Sequence, residues 1–187
     1  MIRIMLIDDH HAIRAGLETV LCAEPDLVPV AATDAGDGLW PRFRRTRPDL
    51  VLLDYHLPGS NSLVICRQLK AMVPAPRVVF YSAYADASLA VPLRVAGADG
   101  LASKGAPAQE LLEVIRRVAG GEVVLPQPTP DVLAEVRWRL DGENRRTLDH
   151  LLAGENPAGA PDLDADGARR RTERLLEYLM PAAPARA

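Results

Sequence analysis

From Met1 to about Gly121 the sequence alternates short apolar runs with longer amphipathic segments, and this pattern restricts the fold more than any other feature. Three of the runs are nearly continuous in apolar residues, as expected of strands buried on both faces of a parallel sheet. The strand candidates are Ile2–Ile7, Val28–Ala32, Leu50–Leu53, Arg77–Tyr81 and Gly100–Ala102. Repeated strand and helix units of this kind predict an α/β domain.

The segments between these strands are helix candidates, and the last one carries apolar residues at helical spacing. The candidates are His11–Ala23, Gly36–Thr46, Asn61–Met72, Asp86–Ala96 and Pro107–Ala119. Pro29 cannot donate a hydrogen bond within a sheet, so its strand belongs at an edge. A flavodoxin-like five-stranded parallel sheet of order 2-1-3-4-5, with helices on both faces, places the second strand at that edge.

The composition changes after Gly121. Pro126, Pro128 and Pro130 follow one another closely, which indicates a stiff linker. Beyond them lie two amphipathic segments, separated by a stretch rich in proline, glycine and acids that should not be helical. The segments are Asp131–Leu152 and Ala168–Met180. We therefore expect a domain at 1–121, a linker at 122–131, a small α-helical region at 132–180 and a disordered tail at 181–187.

Polar side chains follow four of the predicted strands. Asp8 and Asp9 follow the first strand, Asp54 the third and Ser82 the fourth, and Lys104 lies just beyond the fifth. Because the carboxyl ends of parallel strands meet at one edge of the sheet, these groups should converge. Clustered carboxylates repel one another, so such a group is tolerable only around a hard divalent cation such as Mg²⁺.

These residue types suit phosphoryl transfer. A carboxylate can attack phosphorus and form an acyl phosphate, while a divalent cation neutralises charge on the phosphoryl oxygens. A lysine ammonium and a hydroxyl on neighbouring strands can supply the remaining contacts to those oxygens. Taken singly, each acid has an ordinary structural interpretation as a helix cap or a solvated loop residue.

Four segments carry a resemblance to a known family: IMLIDDHHAIRAGL, DLVLLDYHLPG, VVFYSAY and GADGLASK. They resemble the signature segments of two-component response-regulator receivers, most closely those of the LuxR/NarL type. The resemblance covers residues 1 to about 121. It implies a phosphorylation-controlled signalling protein of the cytoplasm that is not a turnover enzyme and has a sensor histidine kinase as its partner.

Carried over by position, the resemblance assigns roles to individual residues. Asp54 corresponds to the phosphoacceptor, and Ser82 and Lys104 to the hydroxyl and the lysine that assist it. Asp9 and Asp54 correspond to direct Mg²⁺ ligands, together with the backbone carbonyl of His56. Asp8 corresponds to an acid that acts mainly through metal-bound water.

The chain departs from the receiver pattern at a few positions. Leu101 stands where the family usually has Tyr or Phe, so the usual coupling of hydroxyl movement to ring rotation is in question. Ser62 replaces a common glycine. The side chains of His56 and Tyr84 should flank the acyl phosphate and limit the access of water. The four histidines form no metal-ligand spacing, which favours solvated or packed roles.

The C-terminal region resembles a LuxR-type helix-turn-helix domain in part, as a degenerate or truncated copy. LDGENRRTLDHLLAG matches its first helix, but Pro157 and Pro161 fall where the second should follow. ARRRTERLLEYLM resembles a recognition helix, with Arg169, Arg170, Arg171 and Arg174 as possible DNA contacts. From Pro126 onward, however, 9 Arg face 11 Asp plus Glu, a net charge of 9 − 11 = −2, whereas DNA-binding modules usually carry a positive excess.

Several functions compete on this sequence. The leading interpretation is regulation of transcription, with a homodimer at least in the phosphorylated state. The alternative is a receiver that signals through protein contacts, using its C-terminal helices for dimerisation or docking. A phosphohydrolase is disfavoured because His56 stands where an acid would be needed, and a flavin-binding flavodoxin because the loop after the first strand is acidic.

Composition excludes other classes. With a net charge of −3, the chain as a whole lacks the positive excess that is typical of nucleic-acid-binding proteins. Cys22 and Cys66 offer neither a disulfide framework nor a paired metal-ligand spacing. The apolar runs are far shorter than the roughly 18 residues that would span a bilayer, and the acids after the first run do not suit a cleavable signal peptide. We expect no membrane association.

Overall fold

The computed structural model describes residues 1–153 and 165–180. A five-stranded sheet of order β2-β1-β3-β4-β5 forms its centre, and every strand pair is parallel. The strands are β1 (Ile2–Ile7), β2 (Leu27–Thr33), β3 (Leu50–Asp54), β4 (Arg77–Ser82) and β5 (Gly100–Ser103). The predicted fold class and strand order are confirmed.

Helices cover both faces of the sheet. The helices are α1 (His11–Cys22), α2 (Leu39–Thr46), α3 (Ser62–Lys70), α4 (Ala90–Ala96), α5 (Ala108–Ala119), α6 (Pro130–Arg139), α7 (Gly142–Leu152) and α8 (Ala165–Leu179). One hydrophobic cluster joins α1 and α5 to the sheet, through residues such as Leu21 and Ile115. A second cluster joins α2, α3 and α4 to the other face.

The helix predicted at Asp86–Ala96 is built from two pieces. A 3₁₀ turn, Ala87–Leu89, precedes α4, and the side chain of Asp86 accepts a hydrogen bond from the backbone N–H of Ser88. Pro92 has no N–H, so it cannot bond the carbonyl four residues earlier, as a helix running through the whole segment would require. The proline therefore falls within the first turn of α4, where its missing donor is tolerated.

The edges of the sheet are irregular. Pro29 lies on the edge strand β2 opposite Ile4, and the register of the two strands shifts between Ile4 and Met5, so that Val30 is skipped. At the other edge Val124 forms an isolated bridge with Gly100. The first residues after α5, within the segment predicted as a linker, are therefore anchored to β5.

A buried carboxylate links the amino ends of β4 and β5 to α3. Asp99 is 5% exposed and lies directly before β5. Its oxygens accept hydrogen bonds of 2.8 Å each from Lys70 on α3, from Arg77 on β4 and from the backbone N–H of Val78. Because two cations and a backbone donor surround it, the buried charge is fully paired, as stability requires.

The C-terminal region contributes three helices to the described part of the chain. The segment predicted as one unit, Asp131–Leu152, is broken at the buried, extended Leu140, and Asp141 caps α7 by accepting a hydrogen bond of 2.8 Å from the N–H of Asn144. The helix breaks here because Asp141 is a favourable N-cap residue and Gly142 is unfavourable in the interior of a helix. The segment predicted at Ala168–Met180 forms α8, Ala165–Leu179.

The C-terminal helices pack against the α3 and α4 side of the sheet domain. Leu140, Leu148, Leu175 and Leu176 are buried in the same hydrophobic cluster as Leu63 of α3. A cavity of about 260 Å³ remains between α4, α6 and α8, with Tyr55 of the sheet domain in its wall. Pro157, Pro161 and the tail predicted at 181–187 lie outside the described residues.

Candidate functional site

The strand-end groups predicted to converge do meet at the carboxyl edge of the sheet. Lys104 Nζ lies 2.7 Å from Asp8 Oδ2 and 2.8 Å from Asp54 Oδ2. Both carboxylates are almost fully buried, with side-chain exposures of 4% and 3%. Because β1 and β3 are neighbours in the sheet, the acids that end them share one pocket.

Backbone donors orient the two buried acids. Asp8 Oδ1 accepts a hydrogen bond of 2.7 Å from the N–H of His10, and Asp54 Oδ1 accepts one of 3.2 Å from the N–H of His56. Each acid thus closes a local turn with the residue two positions later, a pattern that Asp favours where a strand ends. The second oxygen of each carboxylate is left for Lys104.

Ser82, also predicted for this pocket, is fully buried at the end of β4. Its hydroxyl donates to the backbone carbonyl of Tyr84 at 3.1 Å and accepts from the N–H of Tyr84 at 3.1 Å. The N–H of Lys104 donates to the carbonyl of Ser82 at 2.8 Å. The hydroxyl is therefore engaged with its own loop, on the same edge as Asp54 and Lys104.

Burial and charge act in opposite directions on these groups. Burial raises the pKa of Asp54, and the nearby Asp8 adds to this, while Lys104 opposes it. Burial works to lower the pKa of Lys104, but its bonds to Asp54 and Asp8 outweigh that effect, so the pKa is raised. The ammonium stays charged, and further positive charge beside Asp54 favours the ionised carboxylate that a nucleophile requires.

The residues present fit a divalent cation. Asp8, Asp9, His10 and Asp54 each offer one ligand atom, and these atoms lie within 4.8 Å of one another. Asp9 Oδ1 is buried and has no hydrogen-bond partner, which is costly for a carboxylate oxygen. A cation would satisfy it. His10 was predicted to be solvated or packed, although its position directly after the acid pair was a usable signal for a place in the cluster.

The other residues singled out from the sequence lie in different parts of the structure. The rings of His56 and Tyr84 lie 6.5 Å apart, and Tyr84 is 68% exposed. Leu101 is half-buried on β5, opposite Phe80 of β4. The four arginines lie on α8, a helix that packs against α3, α4 and α7, so the structure does not bring them into the strand-end pocket.

Two of these arginines are engaged with acids of the C-terminal helices. Arg171 pairs with Glu143 of α7 at 2.6 Å, and Arg169 pairs with Glu173 of α8 at 3.3 Å. Arg170 and Arg174 are exposed. Among the described helices, none has the length and apolar character that crossing a membrane requires.

The family model for the response regulator receiver domain matches residues 4–116 of this chain. The chain belongs to the response regulator receiver family. The matched span contains β1 from Ile4 onward, the other four strands in full and every residue of the strand-end pocket. Proteins of this family are signalling proteins that carry an acidic pocket for a divalent cation, and the cluster around Asp54 corresponds to that pocket of the receiver.

The receiver is similar to curated transcriptional regulators. It is 35% identical to the transcriptional activator protein ExaE of Pseudomonas putida over 131 aligned residues. The alignment covers 70% of this chain and 61% of ExaE. The chain is 30% identical over 162 residues to the DNA-binding transcriptional activator DevR/DosR of Mycobacterium tuberculosis, covering 82% and 75%. The chain thus spans about 61% of ExaE and 75% of DevR/DosR.

Solved structures share the receiver fold. A LuxR-family two-component response regulator from Aurantimonas sp. SI85-9A1 is 27% identical, with a TM-score of 0.62, covering 72% of this chain and 94% of that one. RcsB, solved as two dimers bound to two parallel DNAs, is 13% identical, with a TM-score of 0.60, covering 97% and 93%. The RcsB likeness concerns the fold alone.

Proposed function

We propose that this protein is a two-component response regulator that accepts a phosphoryl group from a sensor histidine kinase on Asp54. The observation that carries the proposal is the buried Asp54 carboxylate, 2.8 Å from Lys104 Nζ and within one cluster with Asp8 and Asp9. In the transfer, one Asp54 oxygen forms a bond to phosphorus as the bond from phosphorus to the kinase histidine nitrogen breaks. The product is an acyl phosphate.

Each neighbour has a proposed part in this step. Asp9, Asp54 and the backbone carbonyl of His56 would hold Mg²⁺, with Asp8 acting through its bound water. The cation neutralises charge on the phosphoryl oxygens when bound. Lys104 leaves Asp8 to contact a phosphoryl oxygen, and Ser82 exchanges its bond to the Tyr84 carbonyl for another such oxygen. The protein is a phosphoacceptor and does not turn over a substrate.

For the output we propose regulation of transcription by a homodimer of the phosphorylated protein. The similarity to ExaE and DevR/DosR, both transcriptional activators, supports this. In this proposal residues 1–121 are the receiver, 122–131 a linker and 132–180 the output region. The proposed DNA contacts are four arginines of α8, namely Arg169, Arg170, Arg171 and Arg174.

One observation favours a second output, through protein contacts without DNA. The apolar side of α8 is buried against the receiver through Leu175 and Leu176, and Arg171 is held by Glu143. A recognition helix needs a free side to enter a groove, and the acidic balance of the C-terminal region works against phosphate binding. In this alternative the C-terminal helices form a docking or dimerisation element.

Phosphorylation is tested with acetyl phosphate and Mg²⁺. We expect intact-mass measurements to show one added phosphoryl group on the wild-type protein and on Asp37→Ala, which removes an exposed acid that is not part of the cluster. Asp54→Ala should gain none. A phosphoryl group on Asp54→Ala, or its absence from the wild type, would overturn the proposed phosphoacceptor.

The two outputs are separated by DNA binding at a series of salt concentrations. Gel-shift affinity that rises as salt is lowered, and that falls in a variant with Arg170 and Arg174 both changed to Ala, supports transcription control. Phosphorylated protein that dimerises by light scattering but shifts no DNA at any salt concentration supports the protein-contact output.

A further inference from the structure

We propose that His10 supplies an imidazole nitrogen to the divalent-cation site, so that the site discriminates in favour of transition-metal ions such as Ni²⁺. The inference rests on the proposed function, because it takes a cation among Asp8, Asp9 and Asp54 as given. It adds a nitrogen ligand to a set that otherwise consists of oxygen atoms.

The geometry places His10 at the cluster. Its Nδ1 atom lies 2.8 Å from Asp9 Oδ1 and 3.3 Å from Asp8 Oδ1. In an octahedral site with metal–ligand distances of about 2.0–2.1 Å, neighbouring ligand atoms stand roughly 3 Å apart. The His10 nitrogen therefore stands from both carboxylate oxygens at the separation that ligands of one ion adopt.

The contact between His10 and Asp9 suits a bound cation. Their Nδ1 and Oδ1 atoms lie 2.8 Å apart, a distance that an ion pair with a protonated imidazole also explains, but Asp9 Oδ1 is buried and accepts no hydrogen bond of normal geometry. With the imidazole neutral and its Nδ1 unprotonated, a cation beside the two atoms would accept a lone pair from each.

The position of His10 in the fold holds it beside the cluster. It is the N-cap residue of α1, and no side-chain hydrogen bond caps the helix there. Its own N–H is held by Asp8 Oδ1 at 2.7 Å, which fixes the backbone beside the cluster. The side chain is 54% exposed, so water and ions in solution reach the imidazole.

The chemistry of the donor then sets the preference. Mg²⁺ binds oxygen ligands and keeps several of its waters, so a single imidazole adds little to its affinity. Imidazole suits ions such as Ni²⁺ and Zn²⁺. Removing His10 should therefore weaken Ni²⁺ binding strongly and leave Mg²⁺ binding nearly unchanged, whereas any acid of the cluster should matter for both ions.

The test measures binding of Ni²⁺ and of Mg²⁺ by isothermal titration calorimetry, with no phosphodonor present. The proteins are the wild type, His10→Ala, Asp54→Ala and the matched control His11→Ala, which removes the neighbouring exposed histidine. We expect His10→Ala to lose about 10- to 100-fold in Ni²⁺ affinity at the tightest site, the range seen when residues supporting a metal are removed. The loss for Mg²⁺ should stay under about twofold.

The outcomes are distinct. Equal Ni²⁺ affinities in the wild type and His10→Ala, with Mg²⁺ still bound, would overturn the role of His10 and leave the proposed function standing. Tight Ni²⁺ binding that survives in Asp54→Ala would place the Ni²⁺ site outside the cluster and also overturn it. If neither ion binds the wild type, the His10 inference and the cation of the proposed function fail together.

Discussion

Lys104 and Asp54 form a buried ion pair, with 2.8 Å between Nζ and Oδ2, and the same ammonium also contacts Asp8 at 2.7 Å. One cation thus compensates two carboxylates that are almost fully removed from water. The pair joins the loop after β5 to the end of β3, with β4 lying between them in the sheet. Removal of Lys104 should therefore affect the stability of the fold as well as the chemistry of the pocket.

We predict that Lys104→Met destabilises the protein in the absence of divalent cations. Removing one partner leaves Asp8 and Asp54 buried without their counter-charge, which costs about 3–5 kcal/mol in comparable cases. Added Mg²⁺ should restore part of the loss, because it supplies positive charge to the same carboxylates. Urea unfolding with and without Mg²⁺ measures this. Arg44→Met, an exposed cation on α2, should change little; equal losses in both variants would contradict the prediction.

A second prediction concerns the lifetime of the phosphorylated protein. The rings of His56 and Tyr84, which we predict to flank the acyl phosphate, lie 6.5 Å apart. Replacing both by Ala should open the acyl phosphate to water and shorten its lifetime severalfold, which corresponds to about 1 kcal/mol in the hydrolysis barrier. The measurement is loss of the phosphoryl group over time by intact mass. An unchanged lifetime would show that the two rings do not limit water access.

A side chain at Gly100 would meet its neighbours too closely, whereas one at Gly16 would not. A Cβ at Gly100 would lie 2.8 Å from Val118 Cγ2 and 3.2 Å from Val79 Cγ2, while one at Gly16 meets no atom within 4 Å. We predict that Gly100→Ala lowers the free energy of unfolding by about 1–3 kcal/mol, because stiff valines cannot yield. Gly16→Ala in helix α1 should raise it by about 0.5–1 kcal/mol. Thermal and urea unfolding decide both signs.

The two cysteines should differ sharply in reactivity. Burial raises the pKa of Cys66, which is fully enclosed, and Cys22 is exposed on α1. Because the thiolate is the reactive form, a thiol reagent should label Cys22 rapidly and leave Cys66 unlabelled until the protein unfolds. Mass spectrometry of labelled peptides, with and without denaturant, provides the measurement. Labelling of native Cys66 at a comparable rate would contradict the buried position.

A surface ion cluster should shift one acid titration. Hydrogen bonds from Arg116 lower the pKa of Asp26 to about 2, below its ordinary value of 3.8. A lowered pKa stabilises the folded state above pH 3.8, and this contribution is lost as the pH falls toward about 2. In Arg116→Ala the pKa of Asp26, followed by carboxyl NMR, should return toward 3.8, while Arg117→Ala should leave it low. An unchanged value in Arg116→Ala would contradict this.

Much of the fold was accessible from the sequence because the parallel sheet has a distinctive pattern. The ends of the strand candidates fall within one residue of the observed ends, since buried strands are continuous in apolar residues. The position of Pro29 indicated the edge strand correctly. The pocket was predicted for the same reason, because strand order alone brings Asp8, Asp54 and Lys104 to one edge.

Other features depend on contacts between distant segments and gave no local signal. The pairing of Asp99 with Lys70 and Arg77 joins three elements that sequence spacing does not connect. The burial of Leu175 and Leu176 against the α3 and α4 side likewise follows from tertiary packing. An amphipathic helix shows that it has a partner surface, but its sequence does not show which surface that is.

The irregular edge of the sheet has a consequence for how copies of this protein meet. A regular edge strand offers a row of unpaired backbone groups on which another chain can extend the sheet. Here β2 carries a proline and skips Val30, and β5 is partly capped by Val124. Both edges therefore disfavour joining two molecules by continuing one sheet into the next, and we expect association to be made by side chains on helices and loops.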